Sequence, residues 1–137
     1  SGMITDMITA SLAKHSRSLG QNQYHNGHPD LIVRGYYPND SVKAGVEGIE
    51  IKSTRKKGGA VDTHGARDQW MCIFVYRVDT ETQPVRNRVP TVFSEVYLSQ
   101  VSVADFRKND RGELGTRTAT VGREGIKRVR SNWVYRL

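Results

Sequence analysis

A chain of 137 residues has room for one domain with a single hydrophobic core. Its 21 Lys and Arg residues exceed its 14 Asp and Glu residues, and the formal charge of +7 favours polyanions, above all nucleic acid. No apolar stretch approaches the roughly 20 residues of a membrane span, so no membrane partner is expected. The single cysteine, Cys72, and the absence of a visible signal peptide predict a cytoplasmic location. Ser1 and Gly2 are expected to be the remnant of a removed tag, and the predicted domain comprises residues 3–137.

The predicted elements begin with a helix, because Ile4, Ile8 and Leu12 recur at helical spacing and the pattern ends near Gly20. A polar loop is expected at residues 21–29 and a turn or hairpin at residues 35–40. Apolar or alternating runs predict strands at residues 31–33, 46–53, 71–78 and 91–101. One or two helical turns are predicted at residues 62–69 and a short helix at residues 122–132. This order indicates an α/β domain around a central sheet.

Several side chains of the later segments are expected to point into the core. Ile126 and Val129 should form the inner face of the C-terminal helix, and the two tryptophans, Trp70 and Trp133, are also predicted to be buried.

Three charged residues stand out because they lie on or beside predicted strands. Side chains alternate along a strand, so Glu50 and Lys52 point to one face while Ile49 and Ile51 point to the other. Two charges on a buried face are costly unless they pair or bind a ligand. Asp30 precedes the neighbouring strand and can converge on Glu50, and a divalent cation would remove the repulsion between the two carboxylates.

The segments Pro29-Asp30 and Glu50-Ile51-Lys52, 20 positions apart, resemble the signature of the PD-(D/E)xK nuclease superfamily. That superfamily includes many type II restriction endonucleases and the archaeal Holliday-junction resolvases. The resemblance implies a restriction-endonuclease-like core, a central mixed β-sheet flanked by helices, with the two segments on adjacent strands joined by a hairpin. It also implies a Mg²⁺-dependent endonuclease of duplex DNA that leaves 5′-phosphate ends.

Within that resemblance Asp30, Glu50 and Lys52 are the expected catalytic residues. Mg²⁺, or Mn²⁺ in its place, would be bound by Asp30, Glu50 and the backbone carbonyl of Ile51. Lys52 would orient the attacking water and stabilise negative charge. Gln69 and Asp6 are candidate accessory residues. Glu47 has the opposite strand parity to Glu50 and is expected outside the site.

Two basic clusters are the predicted DNA contacts. One directly follows the second predicted strand. The other lies between residues 104 and 137, where nine basic and four acidic residues account for +5 of the net charge. The expected DNA-binding residues are Arg55, Lys56, Lys57, Arg111, Arg117, Arg123, Lys127 and Arg128.

Other interpretations stay open at this point. A junction resolvase would use the same catalytic residues, and a non-catalytic DNA-binding module would carry them by chance. An RNA-acting enzyme would share the basic surface but lacks the aromatic motifs of RNA-binding sheets. His25 and His28 are spaced like zinc ligands, but no second pair completes such a site. A homodimer, or a subunit of a larger nuclease assembly, is the expected quaternary state.

Overall fold

The computed structural model describes residues 2–108 and 118–137, and these residues form an α/β fold with a mixed central sheet and two α-helices. The helices are α1 (Gly2–His15) and α2 (Arg123–Ser131). The strands are β1 (Leu19–Gln21), β2 (Leu31–Val33), β3 (Gly48–Thr54), β4 (Asp62–Thr63), β5 (Gln69–Arg77), β6 (Val92–Val101), β7 (Phe106–Lys108), β8 (Ala119–Val121) and β9 (Trp133–Arg136). Short 3-10 turns occupy Pro38–Asp40, Val85–Asn87 and Val103–Asp105.

The central sheet has six strands in the order β1-β2-β3-β5-β6-β9. All neighbouring pairs are antiparallel except β3 and β5, which run parallel. The chain between these two strands contributes β4, which pairs with β8 in a separate three-stranded antiparallel sheet with the order β4-β8-β7. The crossover from β3 to β5 therefore links the small sheet to the central sheet.

Apolar side chains cover both faces of the central sheet. On one face α1 packs through Ile8 against a cluster that contains Ile51 and Cys72. On the other face α2 packs through Val129 against Met71 and strands β5 and β6. Strand pairing sets Ile51 beside Cys72 and Glu50 beside Met71, so Glu50 and Lys52 lie on the face away from α1.

Strands β2 and β3 form the predicted hairpin, with Leu31 and Ile32 opposite Ile49 and Gly48. A glycine is needed at position 48, because a β-carbon there would lie 2.0 Å from the carbonyl oxygen of Leu31. The long connection between β2 and β3 is held in place by Asn22. Its side-chain amide donates hydrogen bonds to the carbonyl of Pro29 at 3.0 Å and to the carbonyl of Val42, which lies in this connection, at 2.8 Å.

The structure corrects three sequence predictions. The segment 62–69 is not helical: it holds β4, a bend and the first residue of β5, because it pairs with β8, a strand 56 residues away. The first helix ends at His15, and the chain then forms β1 instead of continuing to Gly20. Trp70 and Trp133 are not core residues, being 41% and 51% exposed, because Trp70 lies near the start of β5 and Trp133 on the edge strand β9.

Within residues 2–108 and 118–137, no helix combines the length and apolarity needed to cross a membrane.

Candidate active site

The central sheet opens between β2 and β3, and the candidate site lies at this opening. Pairing between the two strands stops at Leu31 and Ile49, and one further step in the same register would set Asp30 opposite Glu50. Asp30 instead accepts a hydrogen bond from the backbone N–H of Ile51 through Oδ2 at 2.8 Å. The N–H and C=O of one strand residue point to the same side, so the carbonyl of Ile51 also faces this opening.

Glu50 is buried and binds two neighbours at once. Its Oε1 lies 3.0 Å from the ammonium nitrogen of Lys52, and its Oε2 accepts a hydrogen bond of 2.8 Å from Nδ1 of His28. Sequence analysis predicted the meeting of Glu50 and Lys52 on one face but did not predict the contribution of His28.

The two carboxyl groups of the site have opposite electrostatic environments. Burial raises the pKa of Asp30 to about 6, and the nearby Glu50 carboxylate adds to this shift. Burial also opposes ionisation of Glu50, but the hydrogen bond from His28 and the charge of Lys52 outweigh it and lower the pKa of Glu50 to about 2. At neutral pH both groups are ionised, and the ionised Asp30 is held at an energetic cost.

These side chains line one cavity of about 570 Å³. Asp30, Glu50 and Lys52 border it together with His28 and Gln69. Four residues of the crossover line it as well, namely Thr63, His64, Gly65 and Arg67. Nε2 of His28 and both amide atoms of Gln69 are buried, and none of them has a hydrogen-bond partner among the residues that the structure describes. Leaving buried polar atoms without partners is costly, and a ligand or an ordered water in the cavity would remove that cost.

No family model, curated protein or solved structure matches this chain. Its function is therefore inferred from the arrangement of its own side chains.

The donor set of the cavity is compatible with Mg²⁺. Among the described residues, no group of three or more His, Cys, Asp or Glu side chains is arranged to hold a metal ion. Mg²⁺ does not require such a group, because it keeps several waters and is commonly held by one or two carboxylates plus substrate phosphate. Asp30 and Glu50 supply two hard oxygen donors, and a cation would offset both the burial and the repulsion from Glu50 that raise the pKa of Asp30.

The two accessory candidates lie in different places. Gln69 lines the cavity with Asp30 and Glu50. Asp6 does not line this cavity, because it lies on α1, which packs on the other face of the sheet. Asp6 lines a neighbouring cavity of about 450 Å³, and Lys52 and His64 belong to the walls of both cavities. Glu47 does not line the cavity with Asp30 and Glu50; it lines a separate one, here called the second cavity, to which Gln69 also belongs.

Part of the basic surface adjoins the cavities. Lys56 lines the cavity that contains Asp6, and Arg55 and Lys57 are exposed beside it. Nη1 of Arg130 lies 3.9 Å from the position that a β-carbon would take at Gly58. The basic segment after β3 and the C-terminal end of α2 are therefore neighbours, although they are more than 70 positions apart in sequence.

The remaining predicted DNA contacts have different environments. Arg123 and Lys127 are exposed on α2. Arg128 is engaged by Asp105, with nitrogen–oxygen distances of 2.8 and 2.5 Å. Arg111 and Arg117 lie outside the described residues.

Proposed function

We propose that this chain is a Mg²⁺-dependent DNA endonuclease of the PD-(D/E)xK kind, with a restriction-endonuclease-like core. The observation that supports this function is the convergence of Asp30, Glu50 and Lys52 in one cavity, where adjacent antiparallel strands separate. The order of these residues along the hairpin agrees with the resemblance seen in the sequence. The basic surface beside the cavity, on Lys56 and its neighbours, favours a polyanionic substrate.

In this proposal Asp30, Glu50 and the backbone carbonyl of Ile51 would hold the cation. When bound, Mg²⁺ supplies Lewis acidity toward the phosphate and lowers the pKa of its water. Lys52 keeps an ammonium group in the cavity, where it orients the attacking water and stabilises charge that develops on the phosphate. His28 fixes the carboxylate of Glu50 through Nδ1 and is a positioning residue.

Incubation with supercoiled plasmid tests the proposal directly. With Mg²⁺ the protein is expected to convert supercoiled DNA to nicked or linear forms, and with EDTA it is expected to leave the DNA intact, because the carboxylates then hold no cation. DNA ligase should reseal the nicks without prior phosphorylation if the ends carry 5′-phosphate. The Asp30→Asn variant, purified in parallel, controls for a contaminating nuclease.

Linear duplex and a four-way junction of the same sequence should be compared in the same assay. Faster cleavage of the duplex supports a restriction-type endonuclease, and faster cleavage of the junction supports a junction resolvase. Binding to all of these DNAs without cleavage in Mg²⁺ or Mn²⁺ would instead identify a non-catalytic DNA-binding module.

A further inference from the structure

The second cavity, of about 620 Å³, adjoins the candidate active site. It lies at the end of the central sheet, where β5 begins and β6 ends, and Gln69 belongs to the walls of both cavities. Because the cavity borders the end of the sheet, successive strand residues can both reach it although their side chains point to opposite faces.

The charges of the second cavity are poorly suited to a phosphate. Glu47 and Asp68 contribute carboxylates, which repel phosphate oxygens. The cation that lines this cavity within the described residues is Arg128, and its guanidinium is already bound by Asp105. A neutral ligand with N–H donors suits this lining better than a further segment of DNA backbone does.

Gln69 indicates what kind of group the ligand carries. The residue is only 8% exposed, yet within residues 2–108 and 118–137 neither its side-chain nitrogen nor its oxygen has a hydrogen-bond partner. A primary amide offers a donor and an acceptor side by side. The edge of a nucleobase presents the matching acceptor and donor, as in the pairing of Gln with adenine.

Trp70 supplies the second half of a base-binding site. Trp70 lines the same cavity and is 41% exposed, so its side chain offers an aromatic surface to a ligand. Exposed aromatic rings bind unpaired bases by stacking, and each such contact contributes about tenfold or more to affinity.

We propose that this second cavity binds the base of an unpaired nucleotide next to the phosphate in the catalytic cavity, with Trp70 as the stacking surface and Gln69 as the hydrogen-bonding group. The inference rests on the proposed function for the position of the DNA backbone. It narrows the substrate to DNA in which one nucleotide beside the cut is outside the duplex stack, either extruded or single-stranded.

Single-tryptophan variants locate the base. Trp133→Phe leaves Trp70 as the fluorophore, and Trp70→Phe leaves Trp133, which is exposed on β9 and serves as the matched control. Both proteins are titrated in EDTA, so that no cleavage occurs, with a single-stranded deoxyoligonucleotide of eight nucleotides. Saturable quenching is expected in Trp133→Phe and not in Trp70→Phe.

A second measurement separates base binding from backbone binding. At equal salt, an abasic oligonucleotide of the same length is expected to bind the wild-type protein about tenfold more weakly than the base-containing one. Gln69→Leu and Trp70→Ala should remove most of this difference. Gln69→Leu also deletes two unpartnered buried polar atoms, so it should fold at least as stably as the wild type.

Equal affinity of the wild-type protein for both oligonucleotides, or quenching confined to Trp133, would overturn this inference. Plasmid cleavage without base-dependent binding would leave the proposed function standing and remove only the base site. Base-dependent binding at Trp70 without cleavage of any DNA would support the base site and contradict the proposed nuclease function.

Discussion

Replacing Lys52 with methionine is expected to lower the rate of plasmid cleavage by about a thousandfold, the loss typical of removing one preorganised charge from a transition state. Lys52 lies 3.0 Å from Glu50 in the candidate active-site cavity, and methionine keeps much of its length without the ammonium group. Single-turnover cleavage with saturating protein isolates this effect from DNA affinity. DNA binding itself should persist, because the basic surface is unchanged.

Lys14→Met is the matched control, since Lys14 is an exposed lysine in the last turn of α1. It removes the same charge from the protein and should cleave at the wild-type rate. If Lys52→Met, shown to be folded by circular dichroism, also cleaved normally, the ammonium group would have no catalytic role and the proposed mechanism would be wrong.

Neutralising the two carboxyl groups is expected to change stability in opposite directions. Asp30 has a folded-state pKa of about 6 against an ordinary value of 3.8, so the folded state favours its protonated form. Its contribution to stability is complete below the ordinary pKa and is lost as the pH rises through about 6. At pH 7.5 Asp30→Asn should therefore raise the free energy of unfolding by on the order of 3 kcal/mol. The asparagine oxygen can still accept the bond from Ile51.

Glu50 behaves in the opposite way, because its pKa falls from 4.5 to about 2 on folding. Its contribution is complete above the ordinary pKa and is lost as the pH falls toward 2. Glu50→Gln should therefore lower the free energy of unfolding at pH 7.5 by on the order of 3 kcal/mol. Lys52 would then be left beside a neutral amide.

Thermal unfolding without metal at two pH values measures both effects. At pH 7.5 each variant should shift the melting temperature by roughly 10 °C, Asp30→Asn upward and Glu50→Gln downward. At pH 5 the gain of Asp30→Asn should shrink to about half, because wild-type Asp30 is then mostly protonated, whereas the loss of Glu50→Gln should persist. A downward shift in Asp30→Asn would show that burial and the repulsion from Glu50 do not make the Asp30 carboxylate destabilising.

The two strands of the central hairpin, and the shared face of Glu50 and Lys52, could be predicted from sequence because that information is local, whereas the pairing of the strands was implied by the family resemblance. Residues 31–33 form an uninterrupted apolar run, and the alternation around Glu50 fixes its face without knowledge of the partner strand. Strands β5 and β6 are likewise marked by long apolar or alternating segments.

His28 could not be predicted because its position depends on tertiary structure. It precedes the strand, where no alternation assigns a face, and its neighbour Glu50 lies 22 positions away. The pattern of residues 62–69 predicts helical turns instead of β4 for the same reason, since the pairing of β4 with β8 spans more than fifty residues. The exposure of Trp70 and Trp133 depends on where their strands lie in the sheet, which composition does not reveal.

The bond from the Ile51 amide to Asp30 makes one backbone proton a spectroscopic reporter of the whole site. Its NMR chemical shift should follow the charge on the carboxylate, with a midpoint near the Asp30 pKa of about 6. Any cation that binds Asp30 competes for the same oxygens and should move the same resonance. Occupancy of the site can therefore be observed in the intact protein before any DNA is added.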